Sequence, residues 1–192
     1  MNQSLEALTQ EDFIMVQDDS NYRSTFVEKI PLSPISKYVL KLDYISQEKF
    51  FDNYIMSTRT TGFLAEVLNF KKRKSDIIIF DLAFSKQIHP NLDDFLCTLY
   101  HHEGHHAKET FEDPKLINYP ILSDILHFFL NHPLSIMYEK SAKKFPSYKR
   151  YINSEIRAFE NQIKNINSKN SSDYVERLQE CLKLFKKELE LL

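Results

Sequence analysis

Four of the seven histidines fall within six positions, His101-His102-Glu103-Gly104-His105-His106, with one carboxylate among them. Read as H-E-x-x-H, the frame is His102, Glu103 and His106. On a helix, residues four apart lie one above the other on the same face, so His102 and His106 can grip one ion from one side. Glu103 is turned by roughly 100° from His102 at 3.6 residues per turn. That puts it beside the ion, where it can take a proton from a water bound there. A second frame, His101, His105 and Glu109, has the same spacing on a neighbouring face. It lacks a glutamate directly after its first histidine, which the water-activating chemistry needs. The third reading is a cluster of solvated or adventitiously metal-binding surface histidines.

A catalytic zinc takes three protein ligands and keeps one position open. Two histidines leave one ligand to find. The candidate is Glu155, within Asn153-Ser154-Glu155-Ile156-Arg157-Ala158-Phe159-Glu160-Asn161-Gln162. Its face, shared with Ala158 and Gln162, borders the apolar stripe of a helix. The small Ala158, one turn on, lets that helix approach the metal helix closely. The competing reading of Glu155 is a surface ion pair with Arg157 or nearby lysines. Glu160 and Glu139 are the next candidates for the third ligand. Glu109 lies roughly 20° from His102 in projection and is positioned to hydrogen-bond a ligand. His89, His127 and His132 read as structural histidines, and Tyr151, one turn before Glu155, is the nearest group for stabilising an oxyanion.

His102-Glu103-Gly104-His105-His106 followed by Glu155-Ile156-Arg157-Ala158 resembles the gluzincin group of zinc metallopeptidases, specifically small bacterial H-E-x-x-H domains whose substrates are not evident from sequence. The resemblance covers roughly residues 60 to 165. It implies a zincin-like domain with Zn²⁺ held by His102, His106 and Glu155, and with Glu103 as the catalytic base. It implies a protein or peptide substrate. A strand hairpin before the motif helix is also similar, and in the family its last strand edges the cleft and can pair with an extended substrate. The family's second oxyanion-stabilising residue has no matching position in this chain.

The elements that must carry these residues follow from pattern. Asn91 or Asp93 caps a helix running to about Glu112, ended by Pro114. Leu92, Phe95, Leu96 and Leu99 form an apolar stripe that runs, at 100° per residue, into His102, Glu103, His106 and Thr110. The buried face thus changes from core to ligands halfway along. Tyr151 to about Asn167 is a helix on Ile152, Ile156, Phe159, Ile163 and Ile166. Asp173 caps a last helix on Val175, Leu178, Leu182, Phe185, Leu189 and Leu192. The spacing predicts that these two form an antiparallel helical hairpin over 150–192, or that the end of one offers an a/d seam to a partner. Upstream, Tyr38–Ile45, Thr60–Phe70 and Ile77–Leu82 read as strands, the last two as a hairpin about a solvated basic turn. Further helices are expected at Ser46 to about Met56, Tyr119–Asn131 and Leu134–Lys144. Residues 1–12 read as frayed or weakly helical, Phe13–Val16 as a short strand and Gln17–Ser24 as loop.

At 192 residues, with 15 Phe and 10 Tyr, the chain can bury the core of one domain. A net charge of −2 gives no reason to expect nucleic acid or an anionic membrane as partner. Gly62 and Gly104 are the only glycines, which excludes Gly-rich phosphate loops. Cys97 and Cys181 are too few for a disulfide scaffold and read as reduced thiols. Met1–Asp12 has no secretory pattern and no apolar run reaches 18 residues, so the expected setting is the cytoplasm, with signal-less export left open. The expectation is a single α+β domain: a small antiparallel sheet from the first half packed on a mostly helical second half. It would work as a zinc metallopeptidase, or else as a catalytically inactive zincin fold binding a metal or a partner.

Overall fold

The computed structural model describes residues 8–45, 59–60, 64–69, 74–113 and 146–192. The expected helices at Ser46–Met56, Tyr119–Asn131 and Leu134–Lys144 lie wholly or mainly outside these residues, as do His127, His132 and Glu139.

The architecture is α+β. Among the described residues four strands, β1 (Val39–Tyr44), β2 (Arg59–Thr60), β3 (Leu64–Asn69) and β4 (Lys74–Ile79), form one sheet in the order β1-β4-β3-β2. The expected hairpin is present, with β3 antiparallel to β4 from Leu64 opposite Ile79 to Asn69 opposite Lys74. The expected all-antiparallel sheet is not: β1 runs parallel to β4, with Leu42 opposite Ile77 and Tyr44 opposite Ile79. Alternation of side chains tells which face of a strand is buried and carries no information about its direction. β4 lies inside the sheet, and Ser75, Ile77, Ile78 and Ile79 are all buried. This is why its sequence is a continuous β-branched run instead of an alternating one.

Phe13–Val16 is not a strand. It lies in α1 (Gln10–Asp18), capped by Thr9, whose hydroxyl accepts from the Asp12 N–H while the Asp12 carboxylate accepts from the Thr9 N–H. The helical alternative for the end of residues 1–12 holds from Gln10 onward, and the reciprocal cap readable in Thr9-Gln10-Glu11-Asp12 marks its start. Gln17–Ser24 likewise holds the end of α1, a short 3₁₀ turn and the start of α2 (Arg23–Lys29). Phe13 from α1 and Phe26 from α2 meet Phe84 and Phe95 at ring separations of 5.4 to 6.4 Å, making the aromatic centre of the main core. Such pairs add about 0.5–1.5 kcal/mol each beyond area burial. Ile77, Ile79, Leu99 and Ala107 complete that core, so the motif helix is seated on the sheet through its apolar half.

The motif helix starts at Asn91, whose side chain accepts from the Asp94 N–H. It consists of α3 (Leu92–Cys97), a π-wound segment (Thr98–Glu103) and α4 (Gly104–Glu112). The π winding includes His102 and Glu103, so the 100° projection used for the sequence does not hold across that turn. Gly104 closes it, donating its N–H to the Leu99 carbonyl, and sits against Ile35, whose Cγ2 would be 2.6 Å from any Cβ placed there.

α5 (Pro146–Lys164) begins earlier than the pattern indicated, with proline at its first position, where the missing N–H costs no helical hydrogen bond. α6 (Ser172–Glu190) is capped by Ser171, not Asp173. The two helices pack antiparallel: Tyr148 bonds Glu188 at one end, while Gln162 bonds Tyr174 at the other. The fully buried Asp94 carboxylate ties their turn to α3, accepting from the Ser171 N–H and hydroxyl and from Asn170 Nδ2 at 2.8 to 3.1 Å. No described helix is long and apolar enough to cross a membrane.

Candidate metal centre

α4 and the π segment present His102 and His106 towards α5, and α5 presents Glu155 back. All three side chains are buried. His102 Nε2 lies 3.4 Å from Glu155 Oε2, and His106 Nε2 lies 3.3 Å from Glu155 Oε1. One donor atom from each residue falls within 4.8 Å of the others, and among the described residues this is the one such cluster of histidine, cysteine and carboxylate groups. The sequence reading of these three positions therefore converges in space. Glu155 is more deeply placed than the border position expected of it, at 2% exposure, because α5 approaches closely over Ala158, which is fully buried.

The two histidines are each held from behind. His102 Nδ1 is 3.0 Å from Gln162 Oε1, and His106 Nδ1 is 3.2 Å from Ser154 Oγ. The Ser154 hydroxyl donates in turn to Glu109 Oε2 at 2.5 Å. An imidazole whose Nδ1–H is given to an oxygen acceptor carries its lone pair on Nε2, the atom that both rings aim at Glu155. His102 Nε2 is buried without a hydrogen bond of its own. Buried polar atoms are normally satisfied, so such an atom at the meeting point of three donors fits a bound cation.

Electrostatics follow from this crowding. Burial works against the charge on Glu155, but the facing His106 and His102 imidazoles outweigh it and hold the carboxyl far below the ordinary carboxylate range. Burial also works against a charged His102. The Glu155 and Glu103 carboxylates overcome that and raise its pKa. Glu109 is held down to about 2: burial opposes its charge, and His105, Arg157 and Ser154 outweigh burial.

Glu103 is 1% exposed and contributes its charge to His102. The rival frame does not assemble. His105 Nε2 is 3.3 Å from Glu109 Oε1, an ordinary i,i+4 contact, and His101 meets α5 through its backbone carbonyl, which accepts from Asn161 Nδ2. Glu109 serves His106 through Ser154, not His102 directly. Glu160 pairs with Lys186 at 2.8 Å on α6 and takes no part. His89 is a buried structural histidine, as expected. Tyr151 lines a cavity of about 310 Å³ that reaches His102 and Glu155 between α5 and α6. Cys97 and Cys181 are free thiols.

No family model, no curated protein and no solved structure matches the chain.

Sequence reasoning missed Ser154 and the role of Gln162. The available signal was polarity in the wrong place: Ser154, Glu155 and Gln162 interrupt the buried side of an amphipathic helix. One implied feature is absent. β4, the last strand before the motif helix, lies between β1 and β3 and has no free edge to offer a substrate.

Proposed function

We propose that the chain is a zinc-dependent hydrolase of peptide bonds, a zincin-like enzyme with His102, His106 and Glu155 as ligands and Glu103 as general base. The observation that carries the reading is the spacing of the ligand atoms. A tetrahedral zinc with bonds of 2.0–2.1 Å separates its nitrogen and oxygen donors by about 3.3–3.4 Å. His102 Nε2 stands 3.4 Å from Glu155 Oε2 and His106 Nε2 stands 3.3 Å from Glu155 Oε1, so each nitrogen has that separation from a different oxygen of the one carboxylate. A charge-assisted hydrogen bond would draw such atoms closer, to roughly 2.7–2.9 Å. The donor set of two imidazoles and one carboxylate suits a catalytic zinc, which leaves the fourth position for a reactant.

Zinc held there would supply Lewis acidity, polarising a scissile carbonyl and bringing the pKa of a water to about 7. The protein's own work is positional and protonic. Gln162 and Ser154 fix the two imidazoles, and Glu155 brings a third donor and one negative charge. Glu103, buried beside His102, accepts the water proton and delivers it to the leaving amine.

The test is Glu103→Gln. The amide keeps the shape of the carboxylate and cannot take the proton, so zinc content should be unchanged while peptide cleavage falls by about 10²–10⁴. A peptide library or proteome digest supplies the substrate. Equal cleavage by both proteins would overturn the mechanism. A zinc-loaded wild type that cleaves nothing would favour the inactive, binding form of the same fold.

A further inference from the structure

Behind His102 runs a buried line of hydrogen bonds that reaches away from the metal centre. Gln162 Oε1 meets His102 Nδ1 at 3.0 Å, and Gln162 Nε2 meets Thr98 Oγ1 at 3.0 Å and Tyr174 Oη at 2.5 Å. Thr98 Oγ1 meets His89 Nε2 at 2.9 Å, and His89 Nδ1 meets the Ala83 carbonyl at 2.7 Å. His102, Gln162, Thr98, His89 and Tyr174 are each at most 3% exposed.

The chemistry of these groups gives the line one direction. The Ala83 carbonyl can only accept, so His89 Nδ1 carries a proton. Full burial disfavours a second proton on the ring and pushes its pKa down to about 4. His89 Nε2 is therefore an acceptor, and the Thr98 hydroxyl faces it. Thr98 Oγ1 also lies 3.3 Å from the Asp94 carbonyl, a second acceptor, and 2.8 Å from Tyr174 Oη; with its one proton spent on His89 or on Asp94, it accepts from Gln162 Nε2. The amide is thus turned with its NH₂ group towards Thr98 and Tyr174 and its carbonyl towards His102. That carbonyl takes a proton from Nδ1, and the His102 lone pair is left on Nε2. With the amide reversed, Nδ1 would become an acceptor, Nε2 would carry the proton and the metal position would be blocked.

We infer that Gln162 and Thr98 are positioning residues, which fix His102 in its metal-binding tautomer through a hydrogen-bond direction set by the acceptors that face Thr98, His89 Nε2 and the Asp94 carbonyl. This rests on the proposed metal centre for its purpose, although the tautomer exists without metal. The line is pinned at its far end. Gln17 Nε2 donates to the His89 carbonyl, and the Arg177 guanidinium donates to the Ile88 carbonyl, at 3.0 and 3.1 Å. His106 is held differently, through Ser154 to a carboxylate, so the two histidines are set by independent devices.

The experiment reads the His102 ring nitrogens of the metal-free, full-length protein by long-range ¹H–¹⁵N NMR, with thermal melts as a control for folding, and zinc affinity by chelator competition. Wild type should show the Nδ1–H form. Gln162→Leu should lose that preference and bind zinc about 10–100-fold more weakly. Thr98→Val cuts the link to His89 without touching His102. It should give mixed tautomers and about 10-fold weaker binding, the lower end of the same range. Gln162→Glu should rescue the Thr98→Val protein, because a carboxylate accepts whichever way it turns. Unchanged tautomer in Gln162→Leu or in Thr98→Val, with the fold intact, overturns the inference, as does an Nε2–H wild type. A wild type with the Nδ1–H form that binds no zinc would overturn the metal reading and leave the positioning intact.

Discussion

Ser154 gives its hydroxyl proton to Glu109 Oε2 while its oxygen lies 3.2 Å from Nδ1 of His106. A neutral serine thus carries the influence of a carboxylate to a histidine of the candidate site that the carboxylate does not touch. Ser154→Ala removes this acceptor and should lower zinc affinity about 10–100-fold, the usual effect of losing an outer partner of a metal histidine. Chelator competition measures it. Undiminished affinity would reduce Ser154 to a packing residue.

Purified without a histidine tag, the protein should carry about one zinc per chain. His102→Ala and His106→Ala should each lose it, and the double variant His101→Ala, His105→Ala should keep it. Glu155→Ala should bind more weakly. Removing the metal with a chelator should lower the melting temperature, because a ligand at 100 times its Kd adds about 2.7 kcal/mol to the folded state. Elemental analysis and calorimetry decide both points. Retention of zinc by His102→Ala would refute the frame.

Acid should destabilise the metal-free protein partly through Glu109. Its pKa is held down to about 2, below its ordinary 4.5, so its ionised form is favoured by folding. A depressed carboxylate contributes stability that is complete above about 4.5 and is lost as pH falls towards about 2. Glu109→Gln should therefore be less stable than wild type at neutral pH and should lose less on acidification through this window. Urea titrations at several pH values test it, and parallel acid limbs for the two proteins would count against the assignment.

Gly104→Ala should destabilise the fold. The added Cβ would meet Ile35 Cγ2 at 2.6 Å, and Ile35 is buried and branched at Cβ, so it cannot swing aside cheaply. Overpacking of about 1–3 kcal/mol competes with roughly 1 kcal/mol gained in helix propensity, for a net loss of about 1 kcal/mol. Ile35→Ala should suppress the effect in a double-mutant cycle, and additive losses would rule out the clash.

The cluster of His102, His106 and Glu155 was legible because helix geometry is local. His102 and His106 are bound to share a face four residues apart, and Glu155 announced itself as a carboxylate beside an apolar stripe one turn from Ala158. The helical hairpin was legible for the same reason, from heptad-like spacing over two long stretches. Strand positions showed in β-branched runs, which report burial. The parallel pairing of β1 with β4 did not show, because direction depends on how a distant segment returns.

Other properties belong to the tertiary structure alone. The π turn at Thr98–Glu103 leaves no periodic trace, since it is one displaced hydrogen-bond register inside an otherwise ordinary helix. The need for glycine at 104 comes from Ile35, on a different element. The partners of the two histidines, Ser154 and Gln162, are chosen by how close α5 lies to the motif helix, a distance set by the fully buried Ala158. Residue types determined that a cation could be gripped here. Packing decided which partner each imidazole nitrogen meets, because a hydrogen-bond direction is a property of the whole buried chain of donors and acceptors and of no single residue in it.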